Sequence, residues 1–131
     1  MTAVKPALKP GDVIFDVTRS GASREQLAAF SLGTEDPNPI HVDEAFAKSA
    51  GFPTVLQQGP MTTAHLGALL AEKFGTRLKS LDVTFTAPVF PNEALRLVAT
   101  VESAGPEIVC ALAVTKPDGT PSARGTAVIA A

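Results

Sequence analysis

A carboxylate and an imidazole lie five residues apart in a short segment that also contains two prolines. The segment reads Asp36-Pro37-Asn38-Pro39-Ile40-His41-Val42-Asp43. The proline rings restrict the backbone here, and a general acid–base pair must be held near its working geometry before substrate arrives. Histidine is the side chain best suited to exchange protons near neutral pH. Asp36 and His41 are therefore candidates for proton transfer, although residue types and spacing alone more often mark a turn carboxylate and a surface imidazole.

The composition bounds the class of protein that carries this segment. The chain has 131 residues, 45% hydrophobic and 18% charged, with a formal net charge of −2, which is typical of one globular domain without whole-molecule attraction to nucleic acid. Cys110 is the single cysteine, so an internal disulfide is impossible. No apolar run is long enough to cross a bilayer and the first residues do not resemble a signal peptide. We therefore expect a cytoplasmic protein without a membrane partner.

The first half of the chain alternates short elements with breaks. A lead-in segment (1–10) precedes a strand at 13–17, and Ser23 and Gln26 have the spacing of a capping box before a short helix. Residues 33–42 are expected to lack regular structure, because Gly33 and the two prolines interrupt them. Asp43 can cap a short helix at 44–49.

The second half predicts one long helix followed by strands. The helix begins at Gly59 and ends at about Phe74, with Gly75 placed to stop it, and its middle turns are apolar on nearly all sides, which is typical of a buried helix. Four strands follow, at 80–87, 95–101, 108–115 and 121–129, and the third is apolar on both faces, as in a central strand. We therefore predict an α+β domain whose antiparallel sheet wraps around the helix.

The proline-containing segment resembles the signature of the MaoC-like family, which includes (R)-specific enoyl-CoA hydratases and dehydratase subunits of fatty-acid systems. The matching positions are Asp36, Asn38, Pro39, Ile40, His41, Asp43 and Ala47. Further similarity lies at Pro10-Gly11-Asp12, at Phe30 and in the stretch 85–91. It therefore covers most of the chain, and residues 1–131 are identified as a single domain of this family.

The resemblance implies a hotdog fold, in which a curved antiparallel sheet of about five strands wraps around a long central helix. It also implies a dimer, with itself or with another hotdog subunit. Asp36 and His41 would activate one water that adds reversibly to a trans-2-enoyl thioester of CoA or a carrier protein, giving an (R)-3-hydroxyacyl thioester. The backbone N–H at Gly59 would stabilise the thioester oxygen, Asn38 would support the loop, and Thr63 is a candidate for a hydrogen bond near the site.

Two positions depart from the family pattern, and two other functions remain open. Thr34-Glu35 stand where the family usually has Ser-Gly, and Gln58 stands where it commonly has His before Gly-Met. The chain lacks a metal-ligand cluster, a glycine-rich phosphate loop and a nucleophile elbow, so we expect no metal and no cofactor. The alternatives are a non-catalytic subunit that shapes the acyl pocket of a heteromeric dehydratase, and a hotdog acyl thioesterase.

Overall fold

The computed structural model of the chain describes residues 7–131, which form one sheet and three α-helices. The strands are β1 (Val13–Arg19), β2 (Leu78–Phe85), β3 (Leu95–Ala104), β4 (Glu107–Thr115) and β5 (Pro121–Ala130). The helices are α1 (Arg24–Gly33), α2 (Glu44–Ser49) and α3 (Gly59–Phe74). Of the predicted lead-in segment, residues 1–6 lie outside the described part of the chain.

The sheet is antiparallel throughout, and its strand order is β1-β3-β4-β5-β2. β4 is central, as its apolar sequence predicts. Its side chains nevertheless alternate in burial: Cys110 and Leu112 are buried, whereas Ala111 and Ala113 are exposed. One face of the sheet is therefore covered, and the other is open within a single chain.

Helix α3 covers the buried face of the sheet. Leu66, Leu69 and Leu70 are fully or almost fully buried and belong to the same apolar cluster as the inward side chains of β3, β4 and β5. The prediction of a helix buried on nearly all sides is wrong, because the sheet contacts only one side of α3. The small apolar residues on the remaining surface, Ala64, Ala68 and Ala71, are exposed.

A second apolar cluster fixes the other two helices to the start of α3. It contains Leu27 from α1, Ala47 from α2, Val55 from the segment between α2 and α3, and Met61 from the first turn of α3. Phe30 and Ile40 pack at its margin. Because residues 34–43 connect α1 to α2, this cluster holds the proline-containing segment beside the amino end of α3.

Several predicted boundaries differ from the structure: β1, predicted at 13–17, continues to Arg19, and β3, predicted at 95–101, continues to Ala104. Residues 33–42 are not wholly irregular, since α1 includes Gly33 and a single 3₁₀ turn spans Pro39–His41. The strand predicted at 80–87 begins at Leu78 and ends at Phe85, because the chain leaves the sheet before Pro88. Among residues 7–131, no helix is both long and apolar enough to cross a membrane.

Candidate active site

Local hydrogen bonds shape the loop that carries Asp36. The backbone N–H of Asp36 donates to the carbonyl oxygen of Ser31 (2.9 Å), and its Oδ1 accepts from the N–H of Asn38 (3.0 Å). Asn38 in turn accepts from the N–H of Ile40 through its side chain (3.1 Å) and so caps the 3₁₀ turn. Asx turns of this kind are formed by side chains short enough to reach the following backbone. The loop is thus built from its own sequence and tied to α1.

The ring of His41 is fixed from the opposite side. Its Nδ1 atom lies 2.8 Å from the carbonyl oxygen of Leu56, and the backbone N–H of Leu56 donates to the carbonyl of Ile40 (3.1 Å). A carbonyl only accepts hydrogen bonds, so Nδ1 carries a hydrogen. The imidazole side chain is 13% exposed, which leaves little freedom for the ring to rotate.

The structure brings Asp36 and His41 together, with Nε2 of His41 3.5 Å from Oδ2 of Asp36. When the ring is neutral, Nε2 is an acceptor, and an ionised carboxylate oxygen is one too. Two converging acceptors at this separation can be bridged by one water molecule that donates a hydrogen to each. The side chain of Asp36 is 30% exposed, so solvent reaches the pair.

Gly59 begins α3 beside a cleft of about 400 Å³. Its backbone N–H has no hydrogen-bond acceptor among the described residues, as is usual in the first turn of a helix. Leu56 and Phe85 also line the cleft, and a side chain on Gly59 would meet the Phe85 ring at 2.7 Å. The helix start thus offers a bare donor that a carbonyl oxygen can approach closely.

Within one chain, the acid–base pair and this cleft are neighbours but do not share one cavity. Asp36 lines a separate open hollow with Leu32 and Val42, both of which are exposed apolar side chains. Leu56 connects the two regions, because its carbonyl holds His41 and its side chain lines the cleft. A larger cavity of about 740 Å³ lies at the carboxyl end of α3 and contains none of the predicted site residues.

Thr63 and Asp43 have local structural partners, whereas His65 and Cys110 lie apart from the pair of Asp36 and His41. Thr63 donates through its hydroxyl to the carbonyl of Gly59 (3.4 Å), back along its own helix. Asp43 caps α2 by accepting from the N–H of Phe46. His65 lies in another pocket, where burial first and Arg19 second lower its pKa. Burial raises the pKa of the Cys110 thiol.

Sequence reasoning missed the role of Gln58 in the structure. Its side chain is 1% exposed, and its Nε2 donates to the carbonyl of Leu27 (2.7 Å) and to the hydroxyl of Ser31 (2.8 Å). The amide thereby joins the amino end of α3 to α1. The one available signal was its departure from the family pattern at this position.

The stretch 85–91 supports the site indirectly. The carbonyl of Val89 accepts from the backbone N–H of Gln57 (2.7 Å). Lys116 fixes the same stretch by donating to the carbonyl of Pro88 (3.0 Å) and pairing with Glu93 (3.1 Å). This ion pair is partly buried, with side chains 11% and 25% exposed. Within residues 7–131, no three His, Cys, Asp or Glu side chains are grouped as metal ligands would be.

Comparison with known proteins relates this fold and site to a family. The profile of the MaoC like domain matches residues 9–117. The chain is 34% identical over 93 residues to the peroxisomal hydratase-dehydrogenase-epimerase of Neurospora crassa, covering 71% of this chain and 10% of that protein. It is 40% identical over 81 residues to the 3-hydroxyacyl-thioester dehydratase Y of Mycobacterium tuberculosis, covering 58% and 28%. The chain thus spans a minor part of both relatives.

A solved structure agrees over almost the whole chain. The unliganded R-hydratase PhaJ1 of Pseudomonas aeruginosa superposes with a TM-score of 0.82 at 26% identity, covering 95% of this chain and 82% of that one. A single antiparallel sheet packed against a long central helix defines a hotdog fold. The chain belongs to the MaoC-like dehydratase family.

Proposed function

We propose that the chain is a hydro-lyase that reversibly hydrates trans-2-enoyl thioesters to (R)-3-hydroxyacyl thioesters. The observation that carries the proposal is the separation of 3.5 Å between Nε2 of His41 and Oδ2 of Asp36. Two acceptors at this distance can hold one water by both of its hydrogens. The names of the R-hydratase and of the 3-hydroxyacyl-thioester dehydratase support this choice of reaction.

The proposed step balances as a simple addition. The water oxygen bonds to C3 of the enoyl group while the pair Asp36–His41 takes one of its protons. The electrons of the C2–C3 double bond move toward the thioester carbonyl, and C2 then receives a proton from the pair Asp36–His41. No electron carrier is consumed, so the reaction needs no redox cofactor, and we propose that it also proceeds without a metal. The reverse sequence dehydrates the 3-hydroxyacyl thioester.

Negative charge develops on the thioester oxygen during this addition. We propose that the free N–H of Gly59, at the positive end of α3, donates to this oxygen. The cleft beside it is lined mostly by apolar groups such as Leu56 and Phe85, which suits an acyl thioester. Donors arranged before reaction are commonly the largest electrostatic contribution to such catalysis. We assign Asn38 the role of holding the loop, and Thr63 remains our candidate for a hydrogen bond near the site.

The decisive experiment uses the purified full chain and a crotonyl-CoA substrate. We expect conversion to (R)-3-hydroxybutyryl-CoA, identified by chiral chromatography. Asp36→Asn and His41→Ala should each lower kcat by about 10²- to 10⁴-fold, the usual range for an acid–base group, without unfolding the protein. Asp43→Asn is the matched control, because asparagine also caps helices well. Near-normal turnover by either site variant would refute the assignment.

The same assay separates the alternatives. A non-catalytic acyl-pocket subunit would be silent alone and active only after a second hotdog subunit is added. A thioesterase would release free thiol from an acyl-CoA without forming a 3-hydroxyacyl product. Assembly with a second copy or another hotdog subunit, and a cytoplasmic location, are further proposals, as is the choice between CoA and carrier protein.

A further inference from the structure

We propose that Gln58 is a positioning residue, whose buried amide sets the separation of Asp36 and His41 by fixing α1 to the start of α3. This inference rests on the proposed hydratase function, and names a residue that keeps that site in working geometry. Gln58 itself touches neither Asp36 nor His41 in the hydrogen bonds of the described residues. It acts through α1, which holds the backbone of Asp36, and through residues 56–59, which hold the ring of His41.

The first step is the connection from Gln58 to Asp36. The amide nitrogen of Gln58 donates to the carbonyl of Leu27 and to the hydroxyl of Ser31, both on α1. The carbonyl of Ser31 then accepts from the backbone N–H of Asp36 at 2.9 Å. A movement of the carboxyl end of α1 therefore moves the carboxylate directly.

The second step is the connection from Gln58 to His41. Leu56, two residues before Gln58, accepts from the His41 ring at 2.8 Å. Gln57 anchors the same backbone to Val89 through a bond of 2.7 Å. The segment 56–59 thus holds the imidazole through Leu56 and provides the free N–H at Gly59. Gln58 is the residue of this segment whose side chain bonds to α1, the helix that precedes Asp36.

The burial of Gln58 is unfavourable for stability alone. The Leu27 carbonyl requires the amide nitrogen to face α1, and the Oε1 atom of Gln58 is left buried with no hydrogen-bond partner among the described residues. Unpaired buried acceptors are rare in proteins and call for an explanation. An apolar side chain of similar length would avoid this cost, and the Leu27 carbonyl would keep the bond from its own helix. Such a side chain could not, however, form the hydrogen bonds by which the amide joins the start of α3 to α1.

The test compares Gln58→Met, which keeps the length and removes the donor, with Gln58→His, which restores a ring N–H donor. We expect Gln58→Met to lower kcat at least tenfold, since small misplacements of reacting groups have large effects, while KM changes less than threefold. Its Tm should stay within a few degrees of the wild-type value. Gln58→His should recover kcat to within threefold of wild type.

Gln26→Met is the matched control for a weakened α1. The Gln26 side chain closes the capping box at Ser23 and makes no bond to Gln58 or to the acid–base pair. It should lower Tm while kcat per folded molecule stays near wild type. If Gln58→Met instead lowers Tm and leaves kcat unchanged, Gln58 has only a structural role and the inference is overturned.

A second measurement distinguishes failure of this inference from failure of the proposed function. The chain contains two histidines, so the ring resonances of His41 can be assigned by NMR with a His65→Gln variant. We expect these resonances to shift in Gln58→Met and to return toward wild type in Gln58→His. If the wild-type chain hydrates no thioester, the proposed function fails, and the His41 resonances alone then test the role of Gln58. Unchanged His41 resonances in Gln58→Met would overturn the inference.

Discussion

The ring of His41 is held by the carbonyl of Leu56, fifteen residues further along the chain, through an Nδ1–O distance of 2.8 Å. This bond decides which nitrogen of the neutral ring carries hydrogen, because a carbonyl cannot donate. It leaves Nε2 as the atom that faces Asp36. The orientation of the base is thus set by backbone, and the position of the acid by a separate connection to α1.

We predict that neutral His41 is the Nδ1–H tautomer, with Nε2 unprotonated. The measurement is the pair of ring nitrogen chemical shifts in a ¹⁵N-labelled sample, recorded at a pH where the ring is neutral. The control is His65, whose ring makes no hydrogen bond among the described residues and should show a mixture of tautomers. A dominant Nε2–H form of His41 would contradict the bond to Leu56 and the water site that depends on it.

Removing the side-chain acceptor of Asn38 should loosen the loop of Asp36 and His41. Asn38→Ala loses the bond from the N–H of Ile40, so we expect unfolding to become easier by about 0.5–2 kcal/mol and kcat to fall. Asn38→Ser keeps an oxygen that can accept this bond, so its stability and kcat should lie between those of wild type and Asn38→Ala. Chemical denaturation and steady-state kinetics measure both effects.

A matched control for Asn38 lies in the turn between β4 and β5. Asp118 accepts from the N–H of Thr120 at 2.9 Å in the same local manner. Asp118→Ala should lower stability by a similar amount but leave kcat unchanged. Equal losses of kcat in the two alanine variants would show that the loop of Asn38 has no special relation to the site.

The local parts of this site could be predicted from the sequence, because a local hydrogen bond depends on how many residues separate its donor from its acceptor. The capping box at Ser23 and Gln26 and the cap at Asp43 are both present. The partner of His41 could not be predicted, since a backbone carbonyl is available at every residue. The bond of Gln58 to Leu27 joins positions 31 residues apart, and only the packed fold brings them together.

The exposure of α3 shows a second limit of the sequence. Its apolar composition predicts burial but does not say how much of its surface one sheet can cover. Leu66 and Leu70 are buried, whereas Ala64 and Ala68 are exposed. Hydrophobic pattern therefore identified the central helix correctly and overestimated how much of it one chain encloses.

Substituting Gly59 should affect catalysis and packing separately. In Gly59→Ala the new methyl group would lie 2.7 Å from the Phe85 ring, so we expect a loss of about 1–3 kcal/mol from overpacking and a lower kcat. Adding Phe85→Leu should relieve the steric clash and restore stability. It should not restore kcat if the thioester oxygen must approach the bare backbone of Gly59.

The control for this helix substitution is Gly67→Ala. A methyl group at Gly67 would meet only the Leu81 side chain, at an ordinary contact distance of 3.6 Å. Replacing a helical glycine there should stabilise the fold by up to about 1 kcal/mol with unchanged kcat. Full recovery of kcat in the double variant Gly59→Ala/Phe85→Leu would contradict the assigned donor.

The ion pair between Arg24 and Glu44 should make stability depend on acid pH. Two hydrogen bonds of 2.9 and 2.8 Å join α1 to α2, and the Arg24 guanidinium, helped by Thr54, lowers the pKa of Glu44 from 4.5 to about 2. A carboxyl whose pKa is depressed in the folded state stabilises the fold above its unfolded pKa. That contribution disappears as the pH falls from about 4.5 toward 2.

The measurement is the Tm of wild type and Arg24→Met across this pH range. We expect the wild-type chain to melt higher at pH 6–7, by a small margin because the pair is exposed. The difference should shrink as the pH falls through 4.5, and it should also decrease in concentrated salt, which screens exposed charges. The helices α1 and α2 flank the loop of Asp36 and His41. A Tm difference that stays constant from pH 7 to pH 2 would mean that packing, and not this charge pair, holds the two helices beside the site.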